Sequence, residues 1–223
     1  MKNEVLEYKI YNKEENRHYI ESLSELQSNI NLASFTKEYK VIAVSSANEA
    51  EGKSTLSANL AHLYALKGKK TLVVNLDLRK PTSHYFFKVP REVGVVEYCG
   101  GEATIDQIIK HSEFGVDVIT SGKKTMFASE IIASDKLVNL FKELREKYDY
   151  IIVDTSPIID INDTLLAKNC YDGLVLVIRQ NKTKLSPVKE AVKKINENNI
   201  DLLGSVLVGV KHKGRYYYYY SEK

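Results

Sequence analysis

The sequence predicts an α/β fold, a mostly parallel twisted sheet with helices on both faces. Two observations carry this. Six short runs rich in Val, Ile and Leu lack strict alternation, as strands buried on both faces do. Amphipathic stretches lie between them, the pattern of parallel strands joined by crossover helices. A helix is expected over 19–32, ahead of the first strand. The run 39–45, with Val41-Ile-Ala-Val44 at its centre, is followed by a helix over 54–67. The run 71–76 stops at Asp77, and 116–120 follows a predicted helix at 104–111. A helix at 135–147 leads into the run 150–153, which stops at Asp154. Helices at 162–168 and 186–198 flank the run 174–178, and 203–208 is the last strand. The chain shows no internal repeat and no interdomain linker. Residues 19–210 therefore form one domain, between a flexible polar leader at 1–18 and a flexible tail at 211–223.

Length and composition narrow the class. The chain has 223 residues, enough for one sizeable core. With 11 Gly and 4 Pro it is neither collagen-like nor a Pro/Gly-rich disordered chain. No apolar run approaches the roughly 18 to 20 residues of a membrane-spanning helix. The polar, acidic N-terminus is neither a secretory signal nor an Arg-rich transit peptide. Cys99 and Cys170 form no CxxC and no metal-ligand spacing, which suits a reducing cytoplasm. Residues 174–223 hold 10 Lys and Arg against 4 Asp and Glu, a net of +6 against +3 for the whole chain. Such a face suits an anionic surface or an acidic partner, or is simply a solvated helix face.

The chemistry concentrates where strands end. Ser45 to Thr55 reads SSANEAEGKST, directly after an apolar strand and opening a helix. Gly52-Lys53-Ser54 has the form of the end of a P-loop, so the domain is expected to be a single P-loop NTPase domain. Glu51, Gly52, Lys53, Ser54 and Thr55 would cradle phosphates with backbone N–H groups at a helix N-terminus. Lys53 would reach the β- and γ-phosphates of ATP, and the Ser54 hydroxyl would ligate Mg²⁺. The first glycine of the motif is replaced by Ala47. Asp77 and Asp154 end buried strands, and ligands in open α/β sheets bind beyond those ends. Either Asp alone would be read as a turn cap. Two beside Gly-Lys-Ser are read as candidate Mg²⁺ contacts, with Asp77 also a candidate base. His62, His84 and both cysteines are read as packing or surface residues.

These motifs together resemble the bacterial protein-tyrosine kinases of capsule and exopolysaccharide synthesis. The resemblance spans about residues 19–223. It rests on Ser45–Thr55, Asp77-Leu-Arg-Lys-Pro81, Tyr148 to Pro157, Asp163, and the five consecutive tyrosines Tyr216, Tyr217, Tyr218, Tyr219 and Tyr220. It implies ATP-dependent autophosphorylation of that tyrosine cluster, usually between subunits of a homo-oligomeric ring. It further implies a membrane-anchored polysaccharide co-polymerase as activator, a protein tyrosine phosphatase as antagonist, and no nucleic acid partner. The chain would then be cytoplasmic and held at the inner face of the membrane by its partner.

The chain departs from that pattern at several positions. Glu49-Ala50 replaces Pro-Gly, Asn75 replaces an acid, and Val208-Gly209 stands where a base-recognising Asn is expected. Ser24 and Gln27 occupy sites where relatives carry arginines. Glu49, Ala50, Asn75 and Val208 leave a second reading open, a catalytically weakened nucleotide-responsive adaptor that serves as phosphoacceptor. A partition-type ATPase would carry a Lys where Asn48 stands and would lack the tyrosine tail.

Overall fold

The computed structural model describes residues 9–11 and 17–210. The tyrosine cluster and most of the leader lie outside these residues. The described chain opens with α1 (Arg17–Ala33), then β1 (Val41–Ser46), α2 (Lys53–Leu66) and β2 (Thr71–Asn75). Three short helices follow, α3 (Ser83–Phe87), α4 (Val95–Gly100) and α5 (Ile105–Ile108), before β3 (Ile109–His111) and β4 (Asp117–Ile119). Then come α6 (Ala128–Ile132), α7 (Asp135–Lys147), β5 (Tyr150–Asp154) and α8 (Asp163–Leu166) with a 3-10 turn at Ala167–Cys170. The chain closes with β6 (Gly173–Arg179), α9 (Leu185–Glu197) and β7 (Leu202–Val208).

The seven strands run in the order β3-β4-β2-β5-β1-β6-β7, and every pairing is parallel except β3 with β4. This is the predicted fold class. The absence of alternation in the runs has a direct cause: both faces are covered. Val41 and Ala43 of β1, Leu72 and Val74 of β2, and Ile151 and Val153 of β5 enter one core with α7 and α9. The intervening Ile42, Val44, Val73 and Ile152 enter the other, with α1 and α2. Helix α2 is buried on nearly all sides because the sheet lies beneath it and α1 above. Tyr64 of α2 stacks on Tyr150 with ring centroids 3.9 Å apart.

One predicted helix is corrected. Residues 104–111 make a single helical turn and then an antiparallel edge strand. Thr104 and Gln107 form a capping box for that turn. Ile109 to His111 then pair with Ile119 to Asp117, so edge pairing overrides a second turn. Helices α3, α4 and α6 have no counterpart in the sequence reading.

The N-terminal ends of β1 and β6 are fastened by Asp172. Its carboxylate accepts from Lys40 N at 2.9 Å, from Val41 N at 2.7 Å, and from both Arg145 Nη atoms at 3.0 and 2.7 Å. Asp172→Ala strips two backbone donors and a half-buried guanidinium of their acceptor. The expected cost is about 2–4 kcal/mol, read in calorimetry as a midpoint lower by roughly 6–10 °C.

Candidate active site

Strand register brings the chemistry together. Asp154 at the end of β5 lies beside Val44 on one side and Asn75 on the other. The loop after β1 and the turn after β2 therefore emerge on either side of one buried carboxylate. The turn after β2 is stitched to it through the main chain: Leu76 N and Asp77 N donate to Asp154 O at 2.8 and 3.2 Å.

The loop between Ser46 and Lys53 is compact and unusual. Gly52 has φ +100°, and a Cβ there would sit 3.5 Å from Val208 Cγ2. Ala50 takes φ +55°, so the residue that replaces glycine still adopts the left-handed turn, at a cost of about 1–2 kcal/mol. Its carbonyl accepts from Lys182 Nζ at 2.9 Å. Glu49 carries its charge outward to Lys80 Nζ at 2.6 Å, which offsets the negative charge its replacement of proline introduced. The Glu51 carboxylate is fully buried and accepts from Asn48 N, Asn48 Nδ2 and Thr183 Oγ1. What Glu51 can offer an anion is therefore its main chain.

A cleft of about 360 Å³ opens over this loop, lined by Gly52, Lys53, Ser54, Thr55 and Asp77, with Phe86 and Ile161 among its apolar walls. Lys53, at the start of the 14-residue α2, is only 7% exposed. Asp154 lies buried close to Lys53 and Ser54, with no exposure. Its Oδ2 accepts from Ser83 Oγ at 2.8 Å, and its Oδ1 is buried without a hydrogen-bond partner. Burial lifts this carboxyl from 3.8 to about 6, against the pull of Lys53 and of the nearby Ser54 and Ser83 hydroxyls, while Asp77 pushes it up further. Asp77 itself is raised above the ordinary carboxylate range by burial, restrained by its bond from Lys80 N (2.9 Å) and by Lys53. Asn75 is turned inward as a turn brace: its Oδ1 accepts from Asp77 N at 2.9 Å.

An unpartnered buried carboxylate oxygen beside a serine hydroxyl is a donor set suited to a hard divalent cation. Mg²⁺ takes one or two carboxylates and completes its shell with water and phosphate. Among the described residues no group of three or more His, Cys, Asp or Glu forms a protein cage for a metal. The residues present fit Mg²⁺.

Arg79 pairs with Asp163, its Nε donating to Oδ2 at 2.8 Å, and Ser129 Oγ donates to Asp163 Oδ1 at 2.8 Å. Gln27 faces inward and accepts from Lys67 Nζ, so it presents no outward polar group on α1. His62 binds the Phe114 carbonyl at 3.0 Å, a packing role, and both cysteines are free. Ser83, Lys182 and Thr183 were missed. Ser83 and Thr183 reach the site from 71 and 132 residues away in sequence, with no motif to mark them.

Comparison with known proteins agrees with this geometry. A family model described as an AAA domain matches residues 39–202. The putative tyrosine-protein kinase CapB of Staphylococcus aureus is 36% identical over 200 residues, covering 88% of each chain. The chain belongs to the bacterial tyrosine-protein kinases. The tyrosine-protein kinase YwqD of Bacillus subtilis is likewise 36% identical, over 89% of this chain and 84% of its own. Among solved structures, the kinase domain of the Escherichia coli tyrosine kinase ETK superposes with a TM-score of 0.86 at 26% identity, over 94% of this chain and 84% of that one. The chimerical protein CapA2B2 gives 0.83 at 32%, over 89% and 91%. The septum site-determining protein MinD of Pyrococcus horikoshii, complexed with Mg-ADP, shares the fold at a TM-score of 0.64 and 22% identity.

Proposed function

We propose that this kinase binds ATP with Mg²⁺ in the cleft over Gly52–Thr55 and phosphorylates Tyr216, Tyr217, Tyr218, Tyr219 and Tyr220, in a system that regulates capsular or exopolysaccharide synthesis. The observation that carries it is the convergence of Lys53, Ser54 and Asp77 in one cleft, with the unpartnered oxygen of Asp154 buried close to all three. Ser54 and Asp154 would hold Mg²⁺, which when bound neutralises phosphate charge. Lys53 places a buried cation against the transferring phosphoryl group. Asp77, which lines the cleft, accepts the proton of a tyrosine hydroxyl, whose ordinary pKa near 10 keeps it protonated at neutral pH. The described chain ends at Val210, two residues past Val208, whose side chain packs by Gly52.

The partners follow from the family resemblance and from the fold. No described helix is long and apolar enough to cross a membrane; a membrane-anchored co-polymerase that also activates the kinase would hold it at the inner membrane face. A homo-oligomer presents tails between neighbours, and a tyrosine phosphatase resets them. Adjacent phosphates, each near −2, would turn a basic tail strongly acidic and drive subunits apart.

The test is intact mass after incubation with Mg-ATP, for wild type and Lys53→Met, each with and without the cytosolic segment of a co-encoded membrane partner. Phosphate additions mapping to Tyr216–Tyr220 in wild type alone are expected. No additions and no ATP binding in any arm would replace this reading with the adaptor.

A further inference from the structure

The loop between β6 and α9 touches the phosphate loop at several points, at Ala50 and at its neighbours Glu49 and Glu51. Ala47 stands at the first glycine position, and Ala50 is held at φ +55°. An L-residue there leaves that conformation unless neighbouring contacts over-determine it. Two sets of contacts do so. Lys182 Nζ donates to Ala50 O at 2.9 Å and to Glu49 O at 3.2 Å. Beneath them the fully buried Glu51 carboxylate ties the loop crosswise. Asn48 N and Nδ2 donate to it from one end at 3.1 and 3.0 Å, and Thr183 Oγ1 donates at 2.6 Å from the β6–α9 turn. Thr183 is itself oriented, because the Arg179 N–H donates to the same hydroxyl at 2.9 Å. The turn that presents Lys182 and Thr183 is sharpened by Asn181 at φ +60°.

The geometry points to Thr183 and Lys182 as positioning residues that hold the phosphate loop in its anion-binding shape in place of the missing glycines. Thr183 is the stronger of the two. Its hydroxyl is one of the three donors to a carboxylate with no access to water, and a buried charge short of a donor relaxes its surroundings until it finds another. The relaxation available here is rotation of Glu51, which releases Asn48 and with it the loop backbone. Lys182 is exposed and contributes less. Its effect depends on Ala50, because glycine holds a positive φ without help.

The experiment is hydrogen exchange on the nucleotide-free protein, followed over residues 47–53 and, as an internal reference, over the core strands β1 and β5. Thr183→Val is expected to speed exchange in 47–53 about tenfold, the worth of one charge-assisted bond, with the core strands unchanged. Thr183→Ser, which keeps the hydroxyl, should retain wild-type exchange. Lys182→Met should speed exchange in the Ala50 chain but not in Ala50→Gly. Affinity for a fluorescent ADP analogue should weaken in step with exchange across these variants. The inference falls if Thr183→Val leaves 47–53 unchanged, if it loosens the core strands equally, or if Lys182→Met acts alike in both backgrounds. The exchange readout needs no nucleotide. A chain that shows the expected exchange pattern and binds no ADP would keep the brace and defeat the ATP reading above.

Discussion

Asp154→Asn is expected to raise the melting temperature of the nucleotide-free kinase by about 4–8 °C while cutting tail phosphorylation by about 10²- to 10³-fold. The two effects share one cause. A fully buried carboxyl raised from 3.8 to about 6 carries its charge at neutral pH against the protein's own solvation. Its folded pKa exceeds its unfolded one. The folded state therefore binds the proton first as pH falls, and stability from this group rises between about pH 6 and pH 4. At pH 7 the charge costs the fold roughly 2–3 kcal/mol by that difference. Asparagine is neutral at every pH and keeps an oxygen for the Ser83 hydroxyl, so it removes the cost. It also removes the oxygen that a Mg²⁺ ion would use. Calorimetry at pH 7 and pH 5 for both chains checks the first half, and mass-resolved tail phosphorylation the second. A lower midpoint for the variant at pH 7 would show that the carboxylate is already satisfied in the apo fold. Wild-type phosphorylation should itself fall as pH drops through about 6, because the protonated acid no longer serves the cation.

The central strands were legible because burial on both faces leaves nothing to alternate: β1, β2, β5 and β6 read as unbroken apolar runs. The five- and six-residue helices α3, α4 and α6 were not, since less than two turns shows no 3.6-residue period. The segment 104–111 failed for a related reason, because three residues of edge strand are set by their partner and not by their own pattern. In the site, Gly52-Lys53-Ser54 and the two strand-end acids declared themselves by local context. Glu51 read correctly as part of the loop, yet its side chain turned out to be a buried strut. The partner that makes it one, Thr183, belongs to a turn of ordinary composition. Ala50 stands where the family pattern has glycine, and a Cβ disfavours the positive φ of such a turn. The structure shows the turn made regardless, because Lys182 and Glu51 hold it there.

Asp77→Asn separates the two carboxylates. Asparagine retains an acceptor for Lys80 N, and the bond from Asp77 N to Asn75 Oδ1 is main-chain on the Asp77 side, so the turn persists. Only the charge and the proton-accepting capacity go. The expected result is a phosphorylation rate lower by about 10²- to 10⁴-fold, the range of a lost general base, with nucleotide affinity within about threefold of wild type. In Asp154→Asn, rate and Mg²⁺-dependent affinity should fall together. A parallel loss of affinity in Asp77→Asn would instead make Asp77 a second cation contact. The placement of the two groups favours the division: Asp154 is sealed with no exposure and one oxygen unpartnered, whereas Asp77 lines the cleft. They are also coupled, since the Asp77 charge pushes the Asp154 pKa upward. Removing it should move the acid limb of the stability profile below the wild-type value of about 6. An unmoved limb would mean that burial alone sets the Asp154 proton, and that the two acids act independently across the cleft.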